Sequence, residues 1–399
     1  MKMRLNRCFH SQMKDTGESG SVVMRKRKNI AMIGPVYPYK GGISHYTGLM
    51  YRALSDNNNV KMISYKLQYP RFLFKKEQRD YSNKIFKIDG VQYLINTANP
   101  FNCIKVACKI KKMGADMVIF QWWHPYFAPC YWIMEKALGK RVKKLFVCHN
   151  VFPHERFPLD AALSKLVLKN GDYFITQSKL DTENLISIKK DAKYRQTVLP
   201  TFNAFKMKNM SREEAREVLE ISNNTKIILF FGFIREYKGL KHIINALPII
   251  KEKIGNIKLL IVGDFDGDRE RYEAMIDENQ VTKNVEIFDG YIPDNEVEKF
   301  FAAADLVVLP YESATQSGIV QIAYGFEKPV IVTNVGGLPD VVNNGKTGYI
   351  VPPKNPKAIA DVVEKFFSQN DSKNFQINIQ REAYKYSWER MTDIIESFE

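Results

Sequence analysis

The stretch Leu309–Thr333, LPYESATQSGIVQIAYGFEKPVIVT, decides the fold of this 399-residue chain. The apolar run 305–309 leads into it and the run 329–333 ends it, and both have the length and composition of a β-strand. Between them, apolar residues at helical spacing follow Ser317 and Gly318. A strand, a loop, a helix and a second strand in this order predict two parallel strands joined by a crossover helix.

The loop 311–317 is the predicted ligand-binding part of this stretch. It lies where a strand ends and a helix begins, and ligands of open α/β sheets bind at that edge. Unpaired backbone N–H groups and the helix dipole favour a phosphate there, and Thr315, Gln316 and Ser317 add side-chain hydrogen-bond donors. The alternative is an ordinary connection in which Ser317 only caps the helix.

The same alternation of strands and helices extends through the rest of the chain in two blocks. The first block has predicted strands at 29–34, 60–65, 116–120, 144–148, 173–176 and 197–199, with helices near 43–54, 104–113, 129–138, 159–168 and 180–187. After a pause near 200–203, the second block adds strands at 226–231, 257–262, 285–288 and 348–351, with helices near 237–251, 270–278, 294–302, 336–339 and 356–367. We therefore predict an α/β fold with two Rossmann-like doubly wound domains, 29–200 and 201–380, whose loops face a central cleft.

Composition limits the class of protein. No apolar run reaches the roughly 18 residues that span a bilayer, and the first residues are too charged for a secretory signal. The five cysteines have no CxxC spacing, which indicates reduced thiols and a cytoplasmic protein. Residues 1–28 are polar, lack periodicity and end in the basic run 25–28, so we predict a disordered basic tail.

The net charge of +15 is divided unevenly, with +21 on residues 1–200 and −6 on residues 201–399. A cationic half indicates contact with a polyanion, and an anionic membrane surface is the partner we favour. Basic residues are concentrated at 25–28, 66–87, 105–112 and 136–144, and Phe72, Leu73 and Phe74 lie within one of these runs. Nucleic acid would need stacking aromatics in a basic groove, and only 66–87 offers a modest candidate, so we predict no nucleic-acid partner. The remaining alternative is a solvated basic face.

Two cations follow the strand predicted at 226–231. Arg235 and Lys238 would lie at the same sheet edge as the loop 311–317, and two cations beside a helix N-terminus suit a diphosphate. In the first domain, Gly41 and Gly42 precede a helix and would let a ligand approach the backbone closely. The alternative is that the cations are ordinary surface charges.

Histidines supply the other candidates for chemistry. His149 ends the strand predicted at 144–148 and would face the cleft from the first domain, although a structural histidine is the alternative. His45, His154 and His124, which follows Trp122 and Trp123, are weaker candidates for contacts with an acceptor. The run 263–268, GDFDGD, resembles a metal-binding loop. It lacks the distant glutamate of a calcium-binding loop, so we predict a turn and no metal site.

Motifs in both halves resemble one enzyme family. In the second half they are Gly232 with Arg235 and Lys238-Gly239, and the runs IVG (261–263), VEIFDGYIPD (285–294), ADLVVLP (304–310), KPVI (328–331), GGLPDVV (336–342) and NGKTG (344–348). In the first half they are Gly41-Gly42-Ile43 and His149-Asn150. By these residues the chain resembles, over 29–399, the family-4 retaining glycosyltransferases of the GT-B fold, and its loop 314–318, ATQSG, resembles that of a subgroup.

This resemblance implies a two-domain enzyme that takes a UDP- or GDP-linked sugar as donor and needs neither a cofactor nor a metal ion. The implied acceptor is a glycan or a lipid-linked sugar, in surface polysaccharide or glycolipid synthesis at the inner face of the cytoplasmic membrane. The implied catalytic residues are His149, Arg235 and Lys238. The implied donor contacts are Gly41, Gly42, Gly232, Gly263, Ile292, Thr315, Gln316, Ser317, Gly318, Ile319 and Gln321. The run YSWE at 386–389 resembles part of a C-terminal helix, within 381–399, that crosses back to the first domain.

Two departures from the family pattern leave alternatives open. The family carries two glutamates in the central loop, and aligning on Gly318 puts Thr315 and Ala323 at their positions. Phe233 also stands where the family has an arginine that binds phosphate. The alternatives are a nucleotide-sugar epimerase of the same fold and a non-catalytic protein that binds a nucleotide sugar or a nucleic acid.

Overall fold

Two parallel β-sheets form the framework of the protein, which is described here from a computed structural model. The structure describes residues 27–73, 77–81, 86–153, 156–265, 267–369 and 372–398, without the side chain of Asn203. The predicted tail therefore lies outside the described residues except for residues 27 and 28, and so do His154 and Phe74.

The first sheet has seven strands in the order β3-β2-β1-β4-β5-β6-β7. Its strands are β1 (Asn29–Ile33), β2 (Asn59–Leu67), β3 (Gln92–Asn96), β4 (Met117–Trp122), β5 (Lys143–Cys148), β6 (Tyr173–Thr176) and β7 (Tyr194–Gln196). The helices of this domain are α1 (Gly42–Asn57), α2 (Pro100–Lys112), α3 (Ala128–Leu138), α4 (Asp160–Leu168) and α5 (Lys179–Ile188). Every strand pair is parallel, as connections through helices require.

The second sheet has six parallel strands in the order β10-β9-β8-β11-β12-β13. They are β8 (Lys226–Phe231), β9 (Ile257–Gly263), β10 (Val285–Asp289), β11 (Leu306–Leu309), β12 (Val330–Thr333) and β13 (Gly348–Val351). The helices that follow β7 are α6 (Arg212–Val218), α7 (Leu240–Ile254), α8 (Arg269–Glu278), α9 (Asp294–Ala303), α10 (Gly318–Gly325), α11 (Leu338–Val341), α12 (Pro356–Ser368), α13 (Ser372–Arg381) and α14 (Trp388–Glu396). The predicted α/β fold with two doubly wound sheets is confirmed.

Alternation along the strands gives each sheet two buried faces. Ile30 and Met32 of β1 join one hydrophobic cluster, whereas Ala31 and Ile33 join another on the opposite face. Helix α1 contributes to the first cluster and helices α2 and α3 contribute to the second. Such two-sided burial explains why the central strands appear in the sequence as continuous apolar runs.

The sequence predictions failed at the edges of the first sheet. The strand expected at 197–199 is wrong, because β7 ends at Gln196, and no strand was expected at β3. Ile95 is the one fully buried residue of β3, so this edge strand has no apolar run. Helix α6 was also missed, because it is short and polar and is begun by a capping box between Ser211 and Glu214.

Helix α14 lies on the first domain although it ends the chain. It packs against α1, where the Asn58 side-chain amide donates to Glu396 Oε1 at 2.8 Å. The Phe398 ring stacks on Tyr173 with 4.9 Å between ring centroids. The Trp388 indole N–H donates to the Thr201 carbonyl oxygen at 3.1 Å, so the helix also holds the segment between the two domains.

Candidate functional site

A cavity of about 830 Å³ lies between the two domains, at the carboxyl ends of their strands. The first domain contributes the start of α1, and the second domain contributes the loops that follow β8, β9 and β10 together with the start of α10. The predicted donor contacts that line it are Gly41, Gly42, Gly232, Gly263, Ile292, Gly318 and Ile319, and of the predicted catalytic residues Lys238 lines it. The cleft expected from the sequence is thus lined by residues of both domains.

Gly232 brings a cation and a helix start to the same wall of the cavity. Its backbone has φ +112°, and a Cβ there would lie 3.1 Å from Lys238 Nζ and 3.5 Å from Ile319 Cδ1. Ile319 belongs to the first turn of α10, where its backbone N–H donates to the Ser317 hydroxyl at 3.3 Å. Because glycine has no side chain, the ammonium and the helix N-terminus reach the end of β8.

Lys238 carries an unneutralised positive charge at this wall. Its side chain is partly exposed toward the cavity, and Nζ lies 5.7 Å from the centroid of the Tyr311 ring. Within the described part of the chain, no carboxylate forms an ion pair with it. Desolvation, followed by repulsion from the Arg235 guanidinium, lowers the pKa of Lys238 to about 8. An anion bound in the cavity would favour the protonated form and so counteract this lowering of the pKa.

Arg235 takes a different position from Lys238. It precedes the turn that carries Lys238, and its side chain is exposed rather than part of the cavity wall. Its guanidinium is nevertheless close enough to affect the Lys238 ammonium electrostatically. The two cations predicted to converge are therefore neighbours, with Lys238 on the inside.

Gly263 fixes the floor of the cavity at the end of β9. Its φ is +147°, and a Cβ there would lie 2.0 Å from the carbonyl oxygen of Gly232. The Gly232 N–H in turn donates to the Val262 carbonyl oxygen at 2.9 Å. Close backbone packing of these two loops holds Gly232 in place.

The central loop between β11 and α10 contacts the first domain instead of lining the cavity. The Thr315 hydroxyl donates a short hydrogen bond to Asn150 Oδ1, and the Gln316 amide donates to the His149 carbonyl oxygen at 2.7 Å. Thr315 and Ser317 are both 7% exposed. In this arrangement the loop joins the two domains.

His149 is buried beside that junction. Its ring Nε2 lies 2.7 Å from Gln121 Oε1, and the ring meets Tyr46 edge-on at 4.6 Å between centroids. Burial lowers the pKa of His149 to about 3, so the imidazole is neutral at physiological pH. The ring does not reach the cavity, although its backbone holds the central loop.

Buried amide groups near the junction lack partners. Gln321 of α10 is fully buried, and neither its side-chain oxygen nor its nitrogen forms a hydrogen bond within the described structure. Gln316 Oε1 is buried in the same way. Buried amides are almost always paired, so these atoms are positioned to accept and donate hydrogen bonds that the protein alone does not supply.

One pair at the cavity wall was not predicted from the sequence. His45 Nε2 of α1 lies 2.9 Å from Asp294 Oδ2 of α9, and both residues line the cavity. The His45 ring also stacks on Phe86 at 4.3 Å between centroids. His45 was expected only as a weak acceptor contact. Asp294 appeared only as the last residue of the motif 285–294, because an acidic residue at a helix start usually serves the helix itself.

The other residues that were candidates for acceptor contacts take part in contacts within the first domain. His124 Nδ1 accepts from the Tyr126 backbone N–H at 3.1 Å, and its ring stacks on Phe157. Trp122 is fully buried, whereas Trp123 is partly exposed. Across the described ranges, no group of three or more His, Cys, Asp or Glu residues could hold a metal ion, and no helix is long and apolar enough to cross a membrane.

Comparison with known proteins places these features in context. Residues 211–385 match the sequence model of the family described as glycosyl transferases group 1. An uncharacterized glycosyltransferase of Methanocaldococcus jannaschii is 32% identical over 190 residues, 46% of this chain and 47% of that protein. A second one from the same organism is 25% identical over 89% of this chain and 93% of its own length.

Two further comparisons extend this result. CapM of Staphylococcus aureus, a capsular polysaccharide biosynthesis glycosyltransferase, is 31% identical over 42% of this chain and 43% of that protein. The chain thus spans less than half the length of several curated relatives that it matches at about 30% identity. HepE of Anabaena, solved in complex with UDP, superposes with a TM-score of 0.70 over 92% of this chain and 98% of that chain, at 16% identity. The chain therefore has the GT-B fold, and its residues 211–385 match the sequence model of group 1 glycosyl transferases.

Proposed function

We propose that this protein is a retaining glycosyltransferase whose donor is a UDP- or GDP-linked sugar. The observation that carries the proposal is the Lys238 ammonium, which has no carboxylate partner among the described residues and lies beside Gly232 and the start of α10. A diphosphate would neutralise this cation and accept hydrogen bonds from the helix N-terminus. The UDP complex of the structural neighbour HepE supports a nucleotide donor.

The proposed chemistry follows from the charges at the cavity wall. As the bond from the sugar to the diphosphate breaks, negative charge grows on the phosphate oxygens, and Lys238, the α10 N-terminus and the nearby Arg235 would stabilise it. These groups would replace a metal ion in the proposed mechanism. The carboxylates that line the cavity among the described residues are Asp264 and Asp294, of which Asp294 is paired with His45. We propose neither as a nucleophile, so the acceptor hydroxyl would attack on the face that the diphosphate leaves. A phosphate oxygen would take the hydroxyl proton.

The donor sugar would bind next to the central loop. Thr315, Gln316, Ser317 and Gln321 would take the place of the glutamate pair expected from the family resemblance. The buried, unpaired amide atoms of Gln316 and Gln321 support this assignment, because sugar hydroxyls can both donate to them and accept from them. The loop would withdraw from Asn150 and from the His149 carbonyl oxygen to admit the sugar. The neutral His149 ring lies outside the cavity in this structure, so it would become a hydrogen-bonding group for the sugar only after that movement.

The acceptor would be a glycan or a lipid-linked sugar presented at an anionic membrane surface. Phe72 is 79% exposed and Phe101 is 81% exposed, and both follow neighbouring strands of the first sheet. The Thr97 N–H donates to the Leu67 carbonyl oxygen at 3.2 Å, so the two segments leave the sheet side by side. Exposed Lys105, Lys109 and Lys112 on α2 add positive charge. Apolar side chains among cations are typical of an interfacial surface, and we infer peripheral binding at the cytoplasmic face of the membrane.

A role in surface polysaccharide or glycolipid synthesis is consistent with the similarity to CapM. The epimerase alternative differs from this proposal in one observable respect, because an epimerase consumes its nucleotide sugar without an acceptor. No observation in the structure favours it, or a nucleic-acid-binding function, over sugar transfer.

Calorimetric titration with UDP, GDP and their glucose, galactose, N-acetylglucosamine and mannose conjugates tests the proposal. We expect at least one nucleotide to bind the wild type and Lys238→Met to weaken that binding by about 10- to 100-fold, which corresponds to the loss of a charge-assisted hydrogen bond. Lys328→Met is the matched control, because Lys328 is likewise partly exposed and has a pKa lowered to about 8, but its ammonium donates to the Ala302 carbonyl oxygen away from the cavity. Equal affinity in Lys238→Met, or binding of oligonucleotides alone, would contradict the proposal.

A further inference from the structure

A second cavity of about 1030 Å³ adjoins the first and lies mainly against the first domain. The two cavities share the wall formed by Gly41, Gly42, Phe233, Asp264 and Tyr291. A molecule in the second cavity would therefore meet a molecule in the first without passing through protein. We call this second space the acceptor chamber.

An aromatic side chain forms one side of the acceptor chamber. Trp123 directly follows β4 and is partly exposed to the chamber. Its indole N–H donates to the Tyr69 hydroxyl at 3.2 Å, and its ring packs on Phe127 with 4.2 Å between centroids. These contacts hold the indole in one orientation before any ligand arrives. A fixed aromatic face suits the apolar C–H face of a pyranose ring.

The backbone next to Trp123 is also held rigidly. The Gln78 side-chain amide donates to the Tyr69 carbonyl oxygen at 3.0 Å and accepts from the Tyr69 N–H at 3.3 Å. This pair joins the segment after β2 to the segment 77–81. Tyr69 is thereby kept in place beneath the indole, so the chamber wall is formed in advance.

The charges at the chamber wall differ in sign from those of the surrounding domain. The charged residues among the described lining are Lys40, Glu77 and Asp264, which gives one cation and two carboxylates. The Lys40 ammonium is further held over the Tyr291 ring at 4.9 Å from its centroid. The first half of the chain carries +21, yet the described residues of this wall carry a formal −1. Such a wall disfavours a phosphorylated ligand and accepts an uncharged one.

Phe233 separates the two cavities. It follows Gly232, lines both spaces and is 49% exposed. Because Phe233 is apolar, the part of the acceptor chamber that it lines carries no charge. The diphosphate would be held on the other side, where Lys238 lies.

We propose that the acceptor chamber holds the terminal sugar of an uncharged glycan, with its ring stacked on Trp123. This inference rests on the proposed sugar transfer, because the bound sugar would be the acceptor. It specifies that acceptor further, since the carboxylates at the wall disfavour a phosphate on the accepting sugar.

The test uses saturation-transfer NMR on the whole chain, in the presence of whichever of UDP and GDP binds more tightly. The probes are the methyl glycosides of glucose, galactose and N-acetylglucosamine, each also as its 6-phosphate. We expect a neutral glycoside to bind the wild type more tightly than its phosphate. Trp123→Ala should weaken that binding by about tenfold, whereas Trp123→Phe should retain most of it because an aromatic face remains. Trp132→Ala, which removes a partly exposed tryptophan of α3, should have no effect.

A second variant tests the charge argument without disturbing the aromatic wall. Glu77 is exposed, so Glu77→Lys should fold normally, and it should raise affinity for the 6-phosphates while leaving the neutral glycosides unchanged. The inference is overturned if the phosphates bind wild type as tightly as the neutral glycosides, if no glycoside binds, or if both Trp123 variants bind like wild type. Affinity for UDP and for GDP is measured in parallel and should be unchanged in every variant. Failure of the wild type to bind either nucleotide would contradict the proposed function instead.

Discussion

Lys238 combines two properties that together point to an anionic ligand. It is protonated at pH 7, because its pKa of about 8 still lies above that pH, yet it has no carboxylate partner in the described structure. Burying a cation without a partner destabilises a protein unless something else offsets the loss of hydration. Lys328 has a similarly lowered pKa but donates to a carbonyl oxygen. This contrast indicates that Lys238, unlike Lys328, is available to bind an anion.

The lowered pKa predicts how nucleotide affinity depends on pH. A bound diphosphate stabilises the protonated form and raises the pKa of Lys238, so binding takes up a proton wherever the free protein has lost it. Affinity should therefore be constant below about pH 8, where free Lys238 is protonated, and should fall as pH rises above it. Titrations should begin near pH 7.5, because phosphate groups complete their own ionisation around pH 6.

Two variants check that this pH dependence belongs to Lys238. Lys238→Arg should extend the high-affinity range upward, because a guanidinium remains charged. Lys238→Met should bind weakly at every pH with no fall above pH 8. An equal fall in Lys238→Met and wild type would assign the titration to another group.

At the scale of elements, the sequence predicted the strands and helices around the cavity better than the edges of the sheet. Central strands such as β8 are buried on both faces, so they form apolar runs that are visible without a structure. The edge strand β3 buries only one of its side chains fully, so its sequence has no apolar run that would have predicted its pairing with β2. Ser317 and Gly318 marked the start of α10 correctly, because capping is a local interaction.

The candidate site was predictable where it depends on single loops. Glycines at strand ends and Lys238 were recognisable from their order along the chain, and they line the cavity. The contact between Gln316 and His149 could not be predicted from the sequence, because residues 167 positions apart meet only through the packing of the two domains. The pair of His45 and Asp294 could not be predicted either, because these residues also belong to different domains.

Gly263 should be sensitive to substitution because two backbone loops meet at it. In Gly263→Ala the new Cβ would lie 2.0 Å from the Gly232 carbonyl oxygen, at a φ of +147° that side chains disfavour. We expect the free energy of unfolding to fall by about 2–4 kcal/mol, from backbone strain and overpacking together. Chemical denaturation monitored by circular dichroism measures this change.

Gly255→Ala is the control for this substitution. Gly255 has φ +77°, but a Cβ there meets nothing within 4 Å. Its ψ of −97° lies outside the left-handed helical region, so alanine there should lose about 1–3 kcal/mol to backbone strain alone, which is less than in Gly263→Ala because nothing is overpacked. If the two variants are equally stable, the close packing of the β8 and β9 loops is not what holds the cavity floor.

At the scale of the whole molecule, the two domains are joined at several places around the cavity. The central loop bonds Asn150 and His149, the His45–Asp294 pair bridges α1 and α9, and α14 packs on α1. Admission of a nucleotide sugar would require some of these contacts to open. Closure over the donor would then exclude water from the reacting centre.

The division of charge predicts binding to anionic membranes through the first domain. The protein should sediment with vesicles that contain phosphatidylserine but not with neutral phosphatidylcholine vesicles, and binding should weaken as salt is raised, because salt screens the lysines. Phe72→Ala combined with Phe101→Ala should reduce binding at least about threefold, through loss of apolar insertion.

Val218→Ala provides the control for that double variant, since Val218 is 55% exposed on the second domain. It should bind vesicles like the wild type. Equal binding to neutral and anionic vesicles, or binding to neither, would leave the basic half as a solvated surface, and a soluble acceptor would then replace the lipid-linked one.

Proton NMR of the complete reaction tests sugar transfer most directly. The wild type is incubated with the nucleotide sugar that binds most tightly, with and without a methyl glycoside acceptor, and in the presence of EDTA. We predict that the donor is consumed only when the acceptor is present, that EDTA does not prevent this, and that the anomeric coupling of the product matches that of the donor. Release of an epimer or a free sugar without acceptor, or a product of inverted configuration, would contradict the assignment as a retaining glycosyltransferase.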